Sequence, residues 1–138
     1  MTFEAFFEAF GDFDWLAILL GAIAIMVLGW LWYGPLFGKA WSKGTGIPMN
    51  TGTPMTSSLV WTFVYSLVFN IGLAFMTVGS DEIEHALVAG IVVGIFLVGA
   101  AMYSAVVWAK YNKNVYMIDV LFWILATAVG TFVQGLVI

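Results

Sequence analysis

Few side chains in this sequence could do chemistry, and the most distinctive is Asp119, an acid at the start of a long apolar run. A helix over 120–138 would just span a hydrocarbon core. A carboxylate at that boundary is favoured by the helix dipole, and we expect a lysine on the same face to pair with it. The alternative is that Asp119 is drawn into the membrane and carries protons there.

Two amides and one histidine complete the set of candidates. Asn70 and Gln134 lie inside apolar runs, where an amide is costly unless it is paired. We therefore expect interhelical hydrogen bonds worth about 0.6 to 2 kcal/mol each, or else a polar lining for a pathway. His85 follows three nearby acids and is either a solvated side chain or a pH-sensing or metal-binding one. Without a nucleophile–base pair, a carboxylate dyad or a histidine cluster, the sequence predicts no enzyme, no cofactor and no metal site.

The elements that must position these residues follow from composition. The 138 residues are 63% hydrophobic and 9% charged, with a mean hydropathy of +1.05. A soluble domain of this size needs far more polar surface. Charged residues leave four gaps that can each hold about 20 apolar residues, and these indicate transmembrane helices at 15–33, 59–78, 86–108 and 115–137, with a loop at 44–58. We predict an all-α, antiparallel four-helix bundle that forms a single membrane domain.

The lysines predict how the chain is oriented. All four fall in the first and third loops, whereas seven of the eight acids fall at the opposite ends of the helices. Short lysine-rich loops mark the cytoplasmic side, so both termini are predicted to lie outside. Arginine and cysteine are absent and the net charge is −4, which argues against nucleic acid as a partner and leaves the lipid bilayer as the expected one.

The N-terminal residues 1–12 form a predicted interfacial helix. FEAF occurs twice in succession, which places Phe3, Phe6, Phe7 and Phe10 on one helical stripe. Such a stripe is typical of a helix that lies in the membrane interface, and also of a surface that docks a partner protein.

The stretch GWLWYGPLFGKAW from Gly29 to Trp41 is the predicted exit of the first membrane helix. Pro35 should end that helix and begin a short new one. Trp41 would share the apolar face of the new helix, while Lys39 would lie on its polar face. The simplest interpretation is an anchor in the inner leaflet. The alternative is an aromatic cage beside a lysine that binds an anionic lipid headgroup or a hydrophobic partner.

WYGPLFGKAW resembles the signature of an uncharacterised bacterial integral membrane family, domain of unknown function 1761, and YMID at 116–119 is similar to a weaker feature of that family. The resemblance implies a small four-helix protein of the bacterial inner membrane and implies no activity. The residues that carry it are Trp32, Tyr33, Pro35, Phe37, Gly38, Lys39 and Trp41.

Small residues predict close helix packing. Ala86, Gly90 and Gly94 form a stripe along the third helix, facing either inward or toward a second protomer. With so little chemistry visible, we expect a non-enzymatic scaffold or accessory subunit that forms a homo-oligomer or joins a larger membrane complex. The alternative is a small oligomeric channel or transporter for an ion, a small solute or a lipid.

Overall fold

The computed structural model describes residues 2–48, 56–77 and 82–137, and within these ranges the chain is helical and contains no strand. Two π-helical segments interrupt the α-helices, at Trp32–Leu36 and at Gly94–Gly99. The α-helices are α1 (Phe3–Asp12), α2 (Trp15–Leu31), α3 (Gly38–Thr45), α4 (Thr56–Thr77), α5 (Ile83–Val93), α6 (Ala100–Trp108) and α7 (Lys113–Val137).

Four continuous helical stretches are long and apolar enough to cross a membrane. They are Trp15–Leu36, Ser57–Thr77, Ile83–Trp108 and Lys113–Val137. The predicted all-α fold with four long apolar helices is confirmed, and the chain is a multi-pass membrane protein; the antiparallel order stays a prediction. The predicted loop 44–58 is shortened at both ends by α3 and α4, and residues 49–55 and the predicted helix end at 78 lie outside the described residues.

α7 lies at the centre of the fold and packs against α2, α4 and α5. Its Phe122 and Ala126 form a buried cluster with Ile25 of α2. Large apolar side chains such as Phe96 and Leu136 are instead exposed on the outside of the fold. An apolar outer surface, together with buried polar side chains such as Asn70 and Gln134, is what a lipid solvent favours.

The small-residue stripe of the third helix packs against α7 of the same chain. A Cβ added at Gly90 would lie 2.9 Å from Thr127 Cγ2, and one at Gly94 would lie 3.3 Å from Ile124 Cα. Ala86 is buried as well. The stripe of Ala86, Gly90 and Gly94 therefore faces inward, which is one of the two orientations that the sequence left open.

The exit from the first membrane helix differs from the predicted one. Pro35 lies inside the π-helical segment that continues α2, not in the first turn of a new helix. The Phe37 amide donates to the Trp32 carbonyl at 2.8 Å, an i→i+5 bond. Proline has no N–H to donate, and the bond from Phe37 to Trp32 spans Pro35 without requiring one. The break comes two residues later, at Phe37, and α3 begins at Gly38.

α3 is also more than a surface anchor. A Cβ added at Gly44 would overlap a methyl group of Val115, so α3 packs closely on the start of α7. The ring of Trp41 contacts Tyr33 edge to face, with 5.9 Å between centroids. Lys39 is exposed. The apolar face of α3 therefore covers the bundle as well as facing the membrane.

The phenylalanine stripe of α1 is divided between the chain and its surroundings. Phe6 stacks on Phe75 of α4 at 5.0 Å, and Phe10 meets the same ring edge to face at 5.4 Å. Phe3 and Phe7 are 87% and 68% exposed. Half of the stripe thus fixes α1 to α4, and the other half remains to contact lipid or a partner.

Candidate functional site

Asp119 is held by two tyrosine hydroxyls from different parts of the chain. Tyr33, in the first π-helical segment, donates to Oδ1 at 2.7 Å, and Tyr111, just before α7, donates to Oδ2 at 2.7 Å. Next to this pair, the Trp32 indole N–H donates to the Ile118 carbonyl at 3.0 Å. Trp32 and Tyr33 of the helix exit therefore bind directly to residues 118 and 119 of α7.

The partners of Asp119 correct the sequence prediction. α7 begins at Lys113, so Asp119 lies in its second turn, and its place at the membrane boundary stays a prediction. No described lysine nitrogen lies within 4 Å of the carboxylate oxygens. Phenol donors replace the expected lysine, since the two neighbouring segments that reach Asp119 present tyrosines there.

Backbone geometry brings Tyr111 to the site. Lys110 has φ 56°, the left-handed conformation that ends the preceding helix, and the Tyr111 amide donates to the Ala105 carbonyl at 3.1 Å. Burial of the phenol, together with its hydrogen bond to Asp119 and that carboxylate's negative charge, raises the pKa of Tyr111 to about 12. Tyr111 therefore remains a hydrogen-bond donor throughout the physiological pH range.

A cavity of about 700 Å³ opens beside this cluster. Its wall combines one carboxylate with six aromatic rings, and no lysine, arginine or histidine is among its described lining residues. The rings and the acid belong to Tyr33, Trp41, Tyr65, Tyr111, Phe122, Trp123 and Asp119. A smaller cleft of about 340 Å³ between α2 and α4 shares Tyr33, Tyr65 and Phe122 with the cavity and is also lined by Ser66.

The two predicted membrane amides meet each other in the core. The Gln134 amide nitrogen donates to the Asn70 carbonyl at 3.0 Å and to Asn70 Oδ1 at 3.1 Å. Asn70 Nδ2 donates in turn to the Ser66 carbonyl at 2.8 Å. Gly21 and Gly130 leave room for the Asn70 side chain. Asn70 and Gln134 therefore form an interhelical hydrogen bond between α4 and α7, and neither amide is among the described residues that line the cavity.

Sequence reasoning missed the polar stripe of α4. Ser66 is fully buried and borders the cleft, yet its hydroxyl has no hydrogen-bond partner among the described residues. A signal was present, because Ser58, Thr62, Ser66 and Asn70 recur every four residues and so share one helix face. Ser58 lines the cavity, and Thr62 and Ser66 line the cleft.

A protein-family profile matches residues 16–137 and is described as Protein of unknown function (DUF1761). The chain belongs to the DUF1761 family. This match confirms the resemblance seen in the helix exit, and it includes Tyr33, Tyr111 and Asp119, whereas α1 precedes it. No curated protein and no solved structure matches the chain.

Three of the seven residues that carry the resemblance to DUF1761 line the cavity. Tyr33, Gly38 and Trp41 line the wall, whereas Pro35 and Lys39 are exposed and are not among its lining residues. The predicted aromatic cage beside a lysine is therefore distinct from this cavity, whose charged group is a carboxylate, and it stays a prediction.

His85 lies away from the cavity in this DUF1761 protein. Its side chain is 78% exposed, and its Nε2 lies 3.7 Å from Glu82 Oε2. Asp81, which the metal hypothesis also used, lies outside the described residues. Within 2–48, 56–77 and 82–137, no three histidine or acidic side chains are grouped closely enough to hold a metal ion.

Proposed function

We propose that this DUF1761 protein binds a small solute in the cavity beside Asp119 and acts as a channel or transporter, not as an enzyme. The observation that supports the proposal is the wall itself, in which a carboxylate faces a cavity within a membrane helix bundle. Ionisable side chains are expensive at such positions and usually serve a solute pathway. The volume, about 700 Å³, is typical of sites for small molecules.

The proposed membrane is the bacterial plasma membrane, with both termini outside the cell. The cavity lies at the end of the first membrane helix and near the starts of α4 and α7, next to the lysine-rich segments. By the positive-inside rule these segments face the cytoplasm, so the cavity receives its solute from that side. The exposed apolar surface contacts lipid or further copies of the chain.

The competing hypothesis is the accessory or scaffold subunit that the sequence alone favoured. The cavity weighs against it, because the hydrogen bonds of Tyr33 and Tyr111 to Asp119 join segments of the bundle but do not require open space beside them. A scaffold would be expected to fill such space with apolar side chains, which pack at lower cost than a partly buried charge.

Two single-cysteine variants test whether the cavity holds water. The chain has no cysteine of its own, so Met102→Cys on the cavity wall and Ala101→Cys, its exposed neighbour on α6, each report one position. In inside-out vesicles, a hydrophilic thiol reagent should label Met102→Cys and leave Ala101→Cys largely unreacted. Equal labelling of both positions, or failure to label Met102→Cys, would overturn the proposal.

A further inference from the structure

We propose that the solute is an amphipathic organic cation, bound with its positive charge near Asp119 and its apolar body among the aromatic rings. This inference rests on the proposed function and names its substrate class. It combines the charge of the cavity wall, the arrangement of the aromatic rings, and the lining of the cavity and of the neighbouring cleft.

The charge of the wall favours a cation. Asp119 is the one charged side chain among the described lining residues, and the two tyrosine hydroxyls occupy about half of the positions at which a carboxylate accepts hydrogen bonds. An anion would meet this carboxylate without any lysine or arginine to offset the repulsion. A cation would instead supply the opposite charge that a partly buried carboxylate lacks here.

The rings make the cavity suitable for an organic cation. Tyr33 and Trp41 meet edge to face, Phe122 meets both Tyr33 and Trp123 at 5.2 Å, and Tyr65 lies 6.0 Å from Trp123. In an edge-to-face pair only one face of one ring is covered, so the remaining ring faces stay available to a ligand. Since the face of an aromatic ring attracts positive charge, several such faces around one carboxylate form a cage for a quaternary ammonium or phosphonium group.

The size and the shape argue against a bare metal ion. Ca²⁺ or Mg²⁺ requires a close shell of oxygen ligands, whereas this wall is largely aromatic and aliphatic and borders a cavity of about 700 Å³. The neighbouring cleft between α2 and α4 shares wall residues with the cavity and is lined by Ile25, Met26 and Leu59, which suits an apolar extension of the solute. Its wall also includes Ser66, whose buried hydroxyl lacks a described partner and could bind a polar group or a water molecule carried in with the solute.

Tetraphenylphosphonium and tetraphenylborate provide the decisive comparison, because the two ions have nearly the same size and shape and opposite charge. Equilibrium dialysis of the purified protein, with a detergent-only blank, should show saturable binding of tetraphenylphosphonium at least about tenfold tighter than that of tetraphenylborate. Equal affinity for both ions, or tighter binding of the borate, would overturn the inference.

Asp119→Asn should weaken tetraphenylphosphonium binding about tenfold or more. Glu8→Gln removes one negative charge from an exposed position on α1 and should leave the affinity unchanged. An equal loss in both variants would mean that net charge attracts the ion, and would refute a specific role for Asp119.

A second measurement covers the case in which Asp119→Asn does not fold. In the Met102→Cys variant, tetraphenylphosphonium should slow thiol labelling, and tetraphenylborate should not. If Met102→Cys reacts but neither ion protects it, the organic-cation inference is wrong while the water-filled cavity stands. If Met102→Cys does not react at all, the proposed function itself fails.

Discussion

The contact between Gly21 and Asn70 leads to a sharp prediction for the membrane core. A Cβ on Gly21 would overlap Asn70 Oδ1 and lie 3.0 Å from Asn70 Cγ. The Asn70 amide has little freedom to move away, because it donates to the Ser66 carbonyl and accepts from Gln134. Gly21→Ala should therefore force the amide out of its hydrogen bonds, or push α2 away from α4.

The expected magnitude follows from three contributions. Overpacking a tight contact costs about 1–3 kcal/mol, and loss of an interhelical hydrogen bond costs about 0.6–1.7 kcal/mol more. The greater helix propensity of alanine offsets about 1 kcal/mol of this. We expect Gly21→Ala to lower the free energy of unfolding by about 1–4 kcal/mol.

Gly72→Ala is the matched control, since Gly72 is also a helix-interior glycine but a Cβ there meets no atom within 4 Å. It should be neutral or stabilise by up to about 1 kcal/mol. Equilibrium unfolding of both variants in mixed micelles, followed by near-UV circular dichroism, measures the difference. If the two substitutions change the stability equally, the close packing around the Asn70 amide would be refuted.

Three further predictions concern other contacts. The pKa of Tyr111 is raised to about 12, above the ordinary tyrosine value of about 10, so between these pH values the folded state keeps a proton that the unfolded state loses. Stability should therefore fall as pH rises from about 10 to 12, and unfolding titrations should show a smaller fall for Tyr111→Phe. Gln134→Leu should lower the free energy of unfolding by about 1–3 kcal/mol, because it leaves Asn70 Oδ1 buried without the Gln134 donor. Adding Asn70→Leu should recover part of that cost, and a strictly additive double-mutant cycle would contradict the pair. Phe75→Ala should release α1 from α4 and speed limited proteolysis near residue 13, and an unchanged cleavage rate would show that the ring contacts do not hold α1.

The membrane helices could be predicted from sequence because their signal is local. Charged residues are so sparse that the uncharged stretches delimit the spans, and the doubled FEAF pattern likewise predicts a helix at the N-terminus. The helix exit shows the limit of such rules. The rule that proline ends an α-helix assumes α-helical hydrogen bonding, whereas Pro35 lies in a π-helical turn whose bonds bypass the missing N–H.

The site itself depended on contacts that no local pattern encodes. The sequence identifies Asp119 as a candidate, but its partner Tyr33 is 86 positions away along the chain. Only the packing of the first π-helical segment on α7 brings the two side chains together. The cavity likewise depends on side chains from several elements. Ser66 was within reach of sequence reasoning, because the four-residue spacing of polar side chains along α4 marks one face of that helix.

Single-cysteine labelling of intact cells tests the central claim, that the chain crosses the membrane four times with the cavity end toward the cytoplasm. Asn114→Cys lies at that end, beside the start of α7, and His85→Cys lies near the start of α5; both side chains are exposed. An impermeant thiol reagent should label His85→Cys in intact cells and Asn114→Cys only after permeabilisation. Labelling of Asn114→Cys in intact cells, with His85→Cys protected, would contradict the orientation and the direction from which the cavity opens.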